Sequence, residues 1–311
     1  MGRHGCGRIV GRMKTLLAYF QLMRLPAVFT AMSDIILGFL LTHGSFSPPI
    51  SFALLLIASA SLYLSGMVFN DVFDRKVDAA ERPSRPIPSG RISTQKAATL
   101  GGLLMLAGVG AAQTVGTQSM IVASLLVVAI LGYDMLLKNT FLAPLMMGIC
   151  RFLNVMLGAS AVAREINLWV KPQLRIAAAL GLFIVGLTWF ARMEAKDSHR
   201  GHLIGGLLVI NSGLGALAWM LATYPWPRET NLSMVLAAWG VVALTINRRL
   251  VQAILNPVPQ NVQIAVKTML MSYVMLNAIL VFVWTANPQY AILTAALLLP
   301  TILLSRWMAV T

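Results

Sequence analysis

Long apolar runs separated by short polar stretches make up most of this 311-residue chain. A helix needs about 20 predominantly apolar residues to cross the hydrocarbon core of a bilayer. The last two runs are divided only by a short stretch around Asn287, so they form either two spans or one span with a re-entrant piece. The pattern predicts an all-α fold, a polytopic transmembrane bundle of nine or ten helices. The candidate spans lie near residues 25–43, 51–70, 97–114, 119–137, 141–163, 175–193, 203–224, 231–247, 264–286 and 289–306.

Composition and charge agree with a membrane protein. Apolar side chains make up 58% of the residues and charged ones 11%, whereas soluble domains carry about 25% charged residues. A net charge of +14 would suggest nucleic-acid binding in a soluble protein, but the basic residues here follow the positive-inside rule. If the connections between successive spans alternate between the two sides of the membrane, 19 of the 24 Lys and Arg residues lie on one side and four lie on the other. We therefore expect a multi-pass protein of a bacterial inner membrane, with cytoplasmic amino terminus and long loops, in contact with membrane lipid and without a nucleic-acid partner.

The chain divides into a short leading segment and one large domain. Residues 1–24 are basic and contain a short apolar run, but no small-residue cleavage site follows, so an interfacial amphipathic helix fits better than a secretory signal. Residues 25–311 are expected to form a single transmembrane domain. The two cysteines, Cys6 and Cys150, are expected on the cytoplasmic side and inside a span, so no disulfide is predicted.

A polar segment at the end of the second run carries the strongest chemical signal. Three aspartates, Asp71, Asp74 and Asp78, follow Asn70 within nine residues of a chain that has only ten carboxylates. If the segment is helical, the three carboxylates share one face. Like charges so placed repel unless a cation lies between them, and Mg²⁺ prefers hard oxygen ligands. This pattern predicts a metal–diphosphate site at the membrane surface, although solvated helix ends are the simpler alternative.

Charged and polar residues inside the spans are the second signal. Asp34 lies in the middle of the first span and Arg151 within the fifth, where a charge costs at least ~2.5 kcal/mol. The two residues either pair with each other as a structural bridge or contact a substrate. Asn154 shares the face of Arg151 and has the same two interpretations.

The segment Asn70 to Gly90 resembles the first aspartate-rich motif of the UbiA superfamily of intramembrane prenyltransferases. It reads N-D-x-x-D-x-x-x-D followed by R-P-x-R-P-I-P-S-G. Two later segments resemble family motifs in the expected order: Y-D-M-L-L-K at Tyr133 to Lys138, and R-x-x-N-x-x-x-G from Arg151 to Gly158. Within the family, the chain is most similar to the EboC-like subgroup.

The resemblance implies about nine helices around a central cavity open to lipid. It also implies a prenyl diphosphate with its tail in the cavity and its diphosphate on Mg²⁺ held by Asp71, Asp74 and Asp78. Asn70 would orient a ligand or contact the acceptor, and Tyr133 would stabilise an allylic cation unless it is only an interfacial aromatic residue. The phosphate oxygens would be neutralised by Arg82, Arg85 and Lys138. The alternative for Arg82 and Arg85 is that they serve only the positive charge bias of the loop.

The sequence departs from the family at the second aspartate-rich motif. Asp197 matches the later acid of that motif, but Met193 stands where the earlier acid belongs. Glu194 can replace the missing acid only if the helix turns the Glu194 side chain inward. Lys196 adds positive charge there. The number of metal ions, one or two, is therefore left open.

These observations favour a transferase that moves a prenyl group from its diphosphate to an aromatic or lipidic acceptor with Mg²⁺. The degraded second motif favours an alternative, a non-catalytic protein that binds or translocates a hydrophobic precursor. A phosphoribosyl donor is a third alternative, but the sequence shows no polar sugar-binding cluster.

Overall fold

A computed structural model describes residues 15–162, 172–192, 199–226 and 230–310. The described regular structure is helical, as predicted. After a first helix, α1, at residues 15–22, the helices are α2 Val28–His43, α3 Pro49–Phe73, α4 Arg75–Glu81, α5 Thr94–Val115, α6 Thr117–Gly132, α7 Ala143–Ala159, α8 Gln173–Ala191, α9 Arg200–Thr223, α10 Leu232–Leu255, α11 Pro259–Thr285, α12 Pro288–Ala296 and α13 Leu298–Val310.

The number of membrane spans agrees with the prediction of nine or ten. Within the described ranges, nine apolar helical stretches are long enough to cross a bilayer, and α7 is a shorter tenth. The last of them, Pro288–Arg306, joins α12 and most of α13. Large apolar side chains are exposed along the outside of the bundle, including Leu106 at 72% and Leu244 at 71%. Such a surface is unfavourable in water and suited to lipid, and the protein is a multi-pass membrane protein.

Helix α2 lies inside the bundle, where it packs against α3, α7 and α11. Its closest approach is to α7. A Cβ atom on Gly38 would lie 2.2 Å from the carbonyl oxygen of Val155, and one on Gly158 would lie 2.8 Å from Cα of Ile35. Small residues let transmembrane backbones approach this closely. The crossing places Asp34 of α2 beside Arg151 of α7.

The aspartate segment is not one continuous helix, which corrects the sequence expectation. Helix α3 ends at Phe73, Asp74 lies at the junction with ψ −2°, and α4 begins at Arg75. A regular α-helix has ψ near about −42°, so the backbone turns at Asp74. At this break Asp74 pairs with Lys138, whereas Asp71 and Asp78 share Arg85.

A second apolar cluster holds the loop after α4 against the bundle. Ala18 and Leu22 of α1 are fully buried in it. They pack with residues from the end of α3, from the proline-rich loop and from the start of α5: Val68, Val72, Ile87, Ile92 and Ala97. The hydroxyl of Ser93 accepts a hydrogen bond from the Lys96 N–H and caps α5.

Candidate functional site

A cavity of about 230 Å³ lies between the helices beneath the aspartate segment. Apolar side chains such as Leu126, Ile130 and Met147 form much of its wall. The polar residues that line it come from four parts of the chain that are far apart in sequence: Arg24, Ser59, Tyr63, Asn70, Tyr133, Asp134, Arg151 and Asn154. The cavity therefore offers an apolar compartment with a few polar groups, which is typical of a site for a hydrophobic ligand.

A polar pocket of about 490 Å³ lies at the mouth formed by α1, the end of α3 and the proline-rich loop. Three guanidinium groups and one carboxylate line it, from Arg24, Arg85, Arg91 and Asp71. Arg24 also lines the apolar cavity. Its side chain therefore stands between an anion-attracting pocket and an apolar one.

Two of the three aspartates converge on one cation, the guanidinium of Arg85. Its Nη1 atom lies 2.6 Å from Oδ2 of Asp78 and 3.3 Å from Oδ1 of Asp71. Arg24 donates a second charge-assisted hydrogen bond to Asp71 at 3.0 Å. Both carboxylates are only 5% exposed, so their charges need these partners.

The third aspartate belongs to a separate ion pair. Asp74 accepts a hydrogen bond from Nζ of Lys138, and its side chain is 26% exposed. Lys138 follows a π-helical turn over Tyr133–Leu137, closed by a hydrogen bond of 2.9 Å from the Lys138 N–H to the Tyr133 carbonyl. The wide turn lets Tyr133 line the cavity while Lys138 reaches the mouth, and such turns are frequent at functional sites.

The carboxylates do not form a ready metal cluster in the described part of the chain. No group of three or more His, Cys, Asp or Glu side chains there is close enough to hold an ion together. The Asp71 and Asp78 oxygens nevertheless fit a cation, since both already contact one positive group on Arg85. Hard oxygen ligands at that point are the type that Mg²⁺ prefers.

Asp34 and Arg151 pair with each other deep in the bundle. Arg151 Nη1 lies 2.9 Å from Oδ2 of Asp34, and Asn154 donates to the same oxygen at 2.9 Å. The hydroxyl of Tyr273 and the amide of Asn277 donate to Oδ1 at 2.8 and 3.0 Å. Asp34 is fully buried and accepts four hydrogen bonds, which matches the structural-bridge alternative; Arg151 and Asn154 also line the cavity.

Other predicted residues lie apart from these pockets or outside the structure. The Arg82 side chain is exposed and lines neither pocket. Glu194 and Asp197 lie outside the described residues. Their predicted role in a second metal site stays a prediction.

Sequence reasoning missed two residues that the structure brings to the site. Arg24 counted only as a basic residue of the leading segment, but it contacts Asp71 across 47 positions. Asp134 lies within the Y-D-M-L-L-K segment without an assigned role, yet it is buried and lines the cavity. The sequence did contain a signal for Asp134, since this carboxylate directly follows Tyr133 in a chain that has only ten acidic residues.

The fold and the site define a class: integral membrane proteins with an ionic mouth over an apolar cavity between helices. Residues 31–253 match the sequence model of the UbiA prenyltransferase family. The chain belongs to this family. Its EboC-like subgroup stays a prediction.

Curated relatives and solved structures agree with this assignment. Digeranylgeranylglyceryl phosphate synthase of Sulfurisphaera tokodaii is 32% identical over 122 residues, which are 39% of this chain and 44% of that protein. The protein of the same name from Saccharolobus solfataricus is 29% identical over 148 residues, 47% of this chain and 52% of that one. The chain thus spans about half the length of the curated relatives it matches.

Two solved UbiA homologues share the fold. One is an apo structure from Aeropyrum pernix K1, with a TM-score of 0.67, 17% identity and coverage of 81% of this chain and 96% of that one. The other is from Archaeoglobus fulgidus, bound to DMAPP and Mg²⁺, with a TM-score of 0.63, 14% identity and coverage of 89% and 99%.

Proposed function

We propose that this protein is an intramembrane prenyltransferase, which moves a prenyl group from its diphosphate to a hydrophobic acceptor with Mg²⁺. One observation carries the proposal: an arginine- and aspartate-lined pocket adjoins an apolar cavity through the shared residue Arg24. This arrangement matches the two halves of a prenyl diphosphate. The anionic head suits the guanidinium groups, and the hydrocarbon tail suits the cavity.

Charge balance at the mouth supports a joint metal and diphosphate site. Three carboxylates are there paired with three basic groups, from Arg24, Arg85 and Lys138. A divalent cation alone would displace bases, and a diphosphate alone would displace acids; either change leaves buried charge without a partner, which is costly. If both were bound together, Asp71, Asp74 and Asp78 would hold the metal and the basic groups would hold phosphate oxygens. The ion pairs are exchanged rather than lost.

The same residues support ionisation of the donor. Mg²⁺ when bound neutralises charge on the leaving diphosphate, and Arg24 and Arg85 hold its oxygens by charge-assisted hydrogen bonds. The departing group leaves an allylic carbocation, which water would quench. Apolar walls exclude water from it, and the ring of Tyr133 in the same cavity offers a π face to the positive charge.

The acceptor is proposed to be lipidic. The curated relatives are named for digeranylgeranylglyceryl phosphate, a lipid product. Solved homologues of the same fold are bound to DMAPP or to GPP together with Mg²⁺, which supports a prenyl diphosphate as the donor. An aromatic acceptor, the other sequence-based expectation, serves as the comparison substrate.

We also propose the location and the domain organisation that the sequence predicts. The proposed location is a bacterial inner membrane. The basic residues support an orientation with the amino terminus and the mouth of the site facing the cytoplasm. Residues 1–24 form a basic cytoplasmic segment, and residues 25–311 form one transmembrane domain. The packing of α1 on the inner ends of α3 and α5 supports a fixed position for the described part of that segment.

Release of diphosphate tests the proposed function. Purified protein in lipid nanodiscs, given GPP, Mg²⁺ and a prenylglyceryl phosphate or an aromatic acid, should release diphosphate and form a coupled product. Asp71→Asn should abolish both, whereas Glu81→Gln, which removes an exposed acid of the neighbouring helix α4, should leave them unchanged. A wild-type protein that releases no diphosphate from any donor would contradict the proposal.

One observation favours a second candidate, a protein that binds or moves a hydrophobic precursor without catalysis. Each of the three aspartates at the mouth already has a basic partner. Under this alternative, a fluorescent isoprenoid without phosphate binds the cavity, and Asp71→Asn leaves its affinity unchanged. Under the prenyltransferase proposal, binding depends on the diphosphate and on Asp71.

A further inference from the structure

Asp134 differs from the other buried carboxylates of the described chain because it has no salt bridge. The five ion pairs there use Asp34, Asp71, Asp74 and Asp78, and none of them includes Asp134. Asp134 is nevertheless only 9% exposed and lines the apolar cavity. A buried carboxylate without a cation is costly, so its presence calls for a functional explanation.

The position of Asp134 is set by a neutral hydrogen-bond donor. Asn70 Nδ2 donates to Oδ1 of Asp134 at 2.9 Å, while Oδ1 of Asn70 accepts from Arg24 at 3.4 Å. An amide orients a carboxylate without cancelling its charge. Among the described residues, no side chain is hydrogen-bonded to Oδ2 of Asp134, so this oxygen is available to a molecule in the cavity.

The charged groups around Asp134 are occupied with other residues. Among the charged groups, Lys138, Asp74 and Arg24 interact electrostatically with Asp134. Lys138 and Asp74 pair with each other, and Arg24 pairs with Asp71. When the diphosphate site is filled, the two basic groups turn to phosphate rather than to Asp134. Oδ2 of Asp134 is therefore left without a basic partner when the diphosphate site is filled.

Prenyl transfer produces a proton that this free oxygen can accept. The carbon–oxygen bond of the donor breaks with its electron pair going to diphosphate, and the acceptor's nucleophilic atom then bonds to the allylic carbon. The acceptor then carries the positive charge, on the attacking oxygen or over the attacked ring, until the hydrogen on the attacking atom leaves as a proton. Asp34 already accepts four hydrogen bonds. The three aspartates of the mouth do not line the apolar cavity, and Asp134 is the one carboxylate among its described lining residues.

We propose that Asp134 is the catalytic base that takes this proton from the acceptor through Oδ2. The inference rests on the proposed function and deepens it. Asn70 is the positioning residue that fixes the carboxylate by holding Oδ1. The acceptor class follows: its nucleophile carries a hydrogen that must leave, either on a hydroxyl oxygen or on a ring carbon. The neutral carboxylic acid formed afterwards passes its proton to water at the mouth.

Product partition separates this role from a structural one. In nanodiscs with GPP, Mg²⁺ and acceptor, Asp134→Asn should still bind GPP and release diphosphate, because ionisation does not use the base. Coupled product should fall by about 100-fold or more, the usual contribution of general base catalysis. Water then traps the cation, so geraniol should rise as a share of the products. Asp134→Glu should restore coupling in part.

The possible results distinguish the two proposals. If Asp134→Asn forms coupled product at the wild-type rate, the base assignment is wrong and the prenyltransferase proposal stands. If Asp134→Asn loses GPP binding, diphosphate release and coupling together, the residue is structural and the inference is overturned. If wild-type protein releases no diphosphate, both proposals fall. Thermal unfolding of each variant, compared with Glu81→Gln, reports whether folding is retained.

Discussion

At the scale of single residues, the described interior pairs nearly every buried charge with an opposite one. The Asp34–Arg151 pair shows why: a lone charge in the bundle would cost several kcal/mol. The pair is also embedded in hydrogen bonds, since Arg151 donates to the carbonyl and hydroxyl of Thr30 at 3.0 and 2.7 Å. The guanidinium carbon lies 5.1 Å from the ring centroid of Tyr273. This arrangement stabilises the crossing of α2 and α7 and keeps Arg151 at the cavity wall.

Breaking the Asp34–Arg151 pair should destabilise the protein. Asp34→Ala leaves the buried Arg151 guanidinium without an opposite charge, and we expect a loss of about 3–5 kcal/mol in the free energy of unfolding. The double variant Asp34→Leu with Arg151→Met should recover much of that loss, because neither charge remains. Unfolding in mixed micelles measures the free energy of unfolding of the single and the double variant. Equal stability of Asp34→Ala and wild type would contradict the structural role.

Arg85 should compete with the metal and assist the diphosphate. In Arg85→Met, Asp71 and Asp78 lose the guanidinium that joins them, so Mn²⁺, a spectroscopic substitute for Mg²⁺, should bind more tightly to protein without diphosphate. Binding of GPP with the metal should weaken, since one phosphate contact is lost. Electron paramagnetic resonance measures free Mn²⁺ in the first experiment. Calorimetry measures the binding of GPP with the metal in the second. Arg82→Met, which removes an exposed arginine, is the matched control. Weaker metal binding in Arg85→Met would show that Arg85 does not occupy the metal position.

At the scale of elements, two local features bring the chemistry together. Glycines at the crossing of α2 and α7 let the backbones nearly touch, which sets the depth of the Asp34–Arg151 pair. The π-helical turn at Tyr133–Leu137 changes the direction of side chains at the end of α6. Tyr133 and Asp134 then line the cavity while Lys138 reaches Asp74 at the mouth.

A single methyl group at the helix crossing should test its importance. In Gly38→Ala, the added Cβ would lie 2.2 Å from the Val155 carbonyl oxygen, a backbone atom that cannot rotate away. We expect a loss of about 1–3 kcal/mol in the free energy of unfolding, which is typical of overpacking. Gly110→Ala in α5 is the control, because nothing lies within 4 Å of its added Cβ. It should keep or slightly raise the thermal stability measured in detergent, and equal effects of both substitutions would contradict the close approach.

At the scale of the whole molecule, every part of the mouth lies at the same end of the bundle. The end of α3, the proline-rich loop, the turn after α6 and α1 meet there through ion pairs of Arg24, Arg85 and Lys138. The opposite end includes the short connection at Gly44 to Pro48 between α2 and α3. Because the basic residues gather at the mouth, the positive-inside rule predicts that this end faces the cytoplasm.

Accessibility of introduced cysteines tests this orientation. In a variant with Cys6 and Cys150 replaced by Ser, Ser89→Cys lies in the exposed loop at the mouth and Ser47→Cys in the exposed connection at the other end. In intact cells a membrane-impermeant maleimide should label only the residue-47 variant, and after lysis it should label both. Labelling of the residue-89 variant in intact cells would reverse the topology.

The sequence alone predicted the helices and many of the residues at the site, because both depend on local patterns. Apolar runs of about 20 residues indicate spans wherever they fall, and the spacing of Asp71, Asp74 and Asp78 marked the mouth. It predicted one shared face for these aspartates, which was wrong, since a change of backbone direction at a single residue leaves no clear periodic signal. Arg24 and Asp134 went unassigned because their roles depend on contacts with residues more than 40 positions away.

The sequence by itself determined that this chain is a helical membrane protein, since each apolar span must satisfy its own backbone hydrogen bonds in lipid. The positions of acidic and basic residues along the chain determined that one end carries both charges. Only the tertiary structure decided which charges pair. Asp71 and Asp78 share Arg85, Asp74 takes Lys138, and Asp134 has no basic partner among the described residues. Pairing depends on distances of a few ångströms between separate helices, and those distances are set by packing at crossings such as Gly38 rather than by the order of residues.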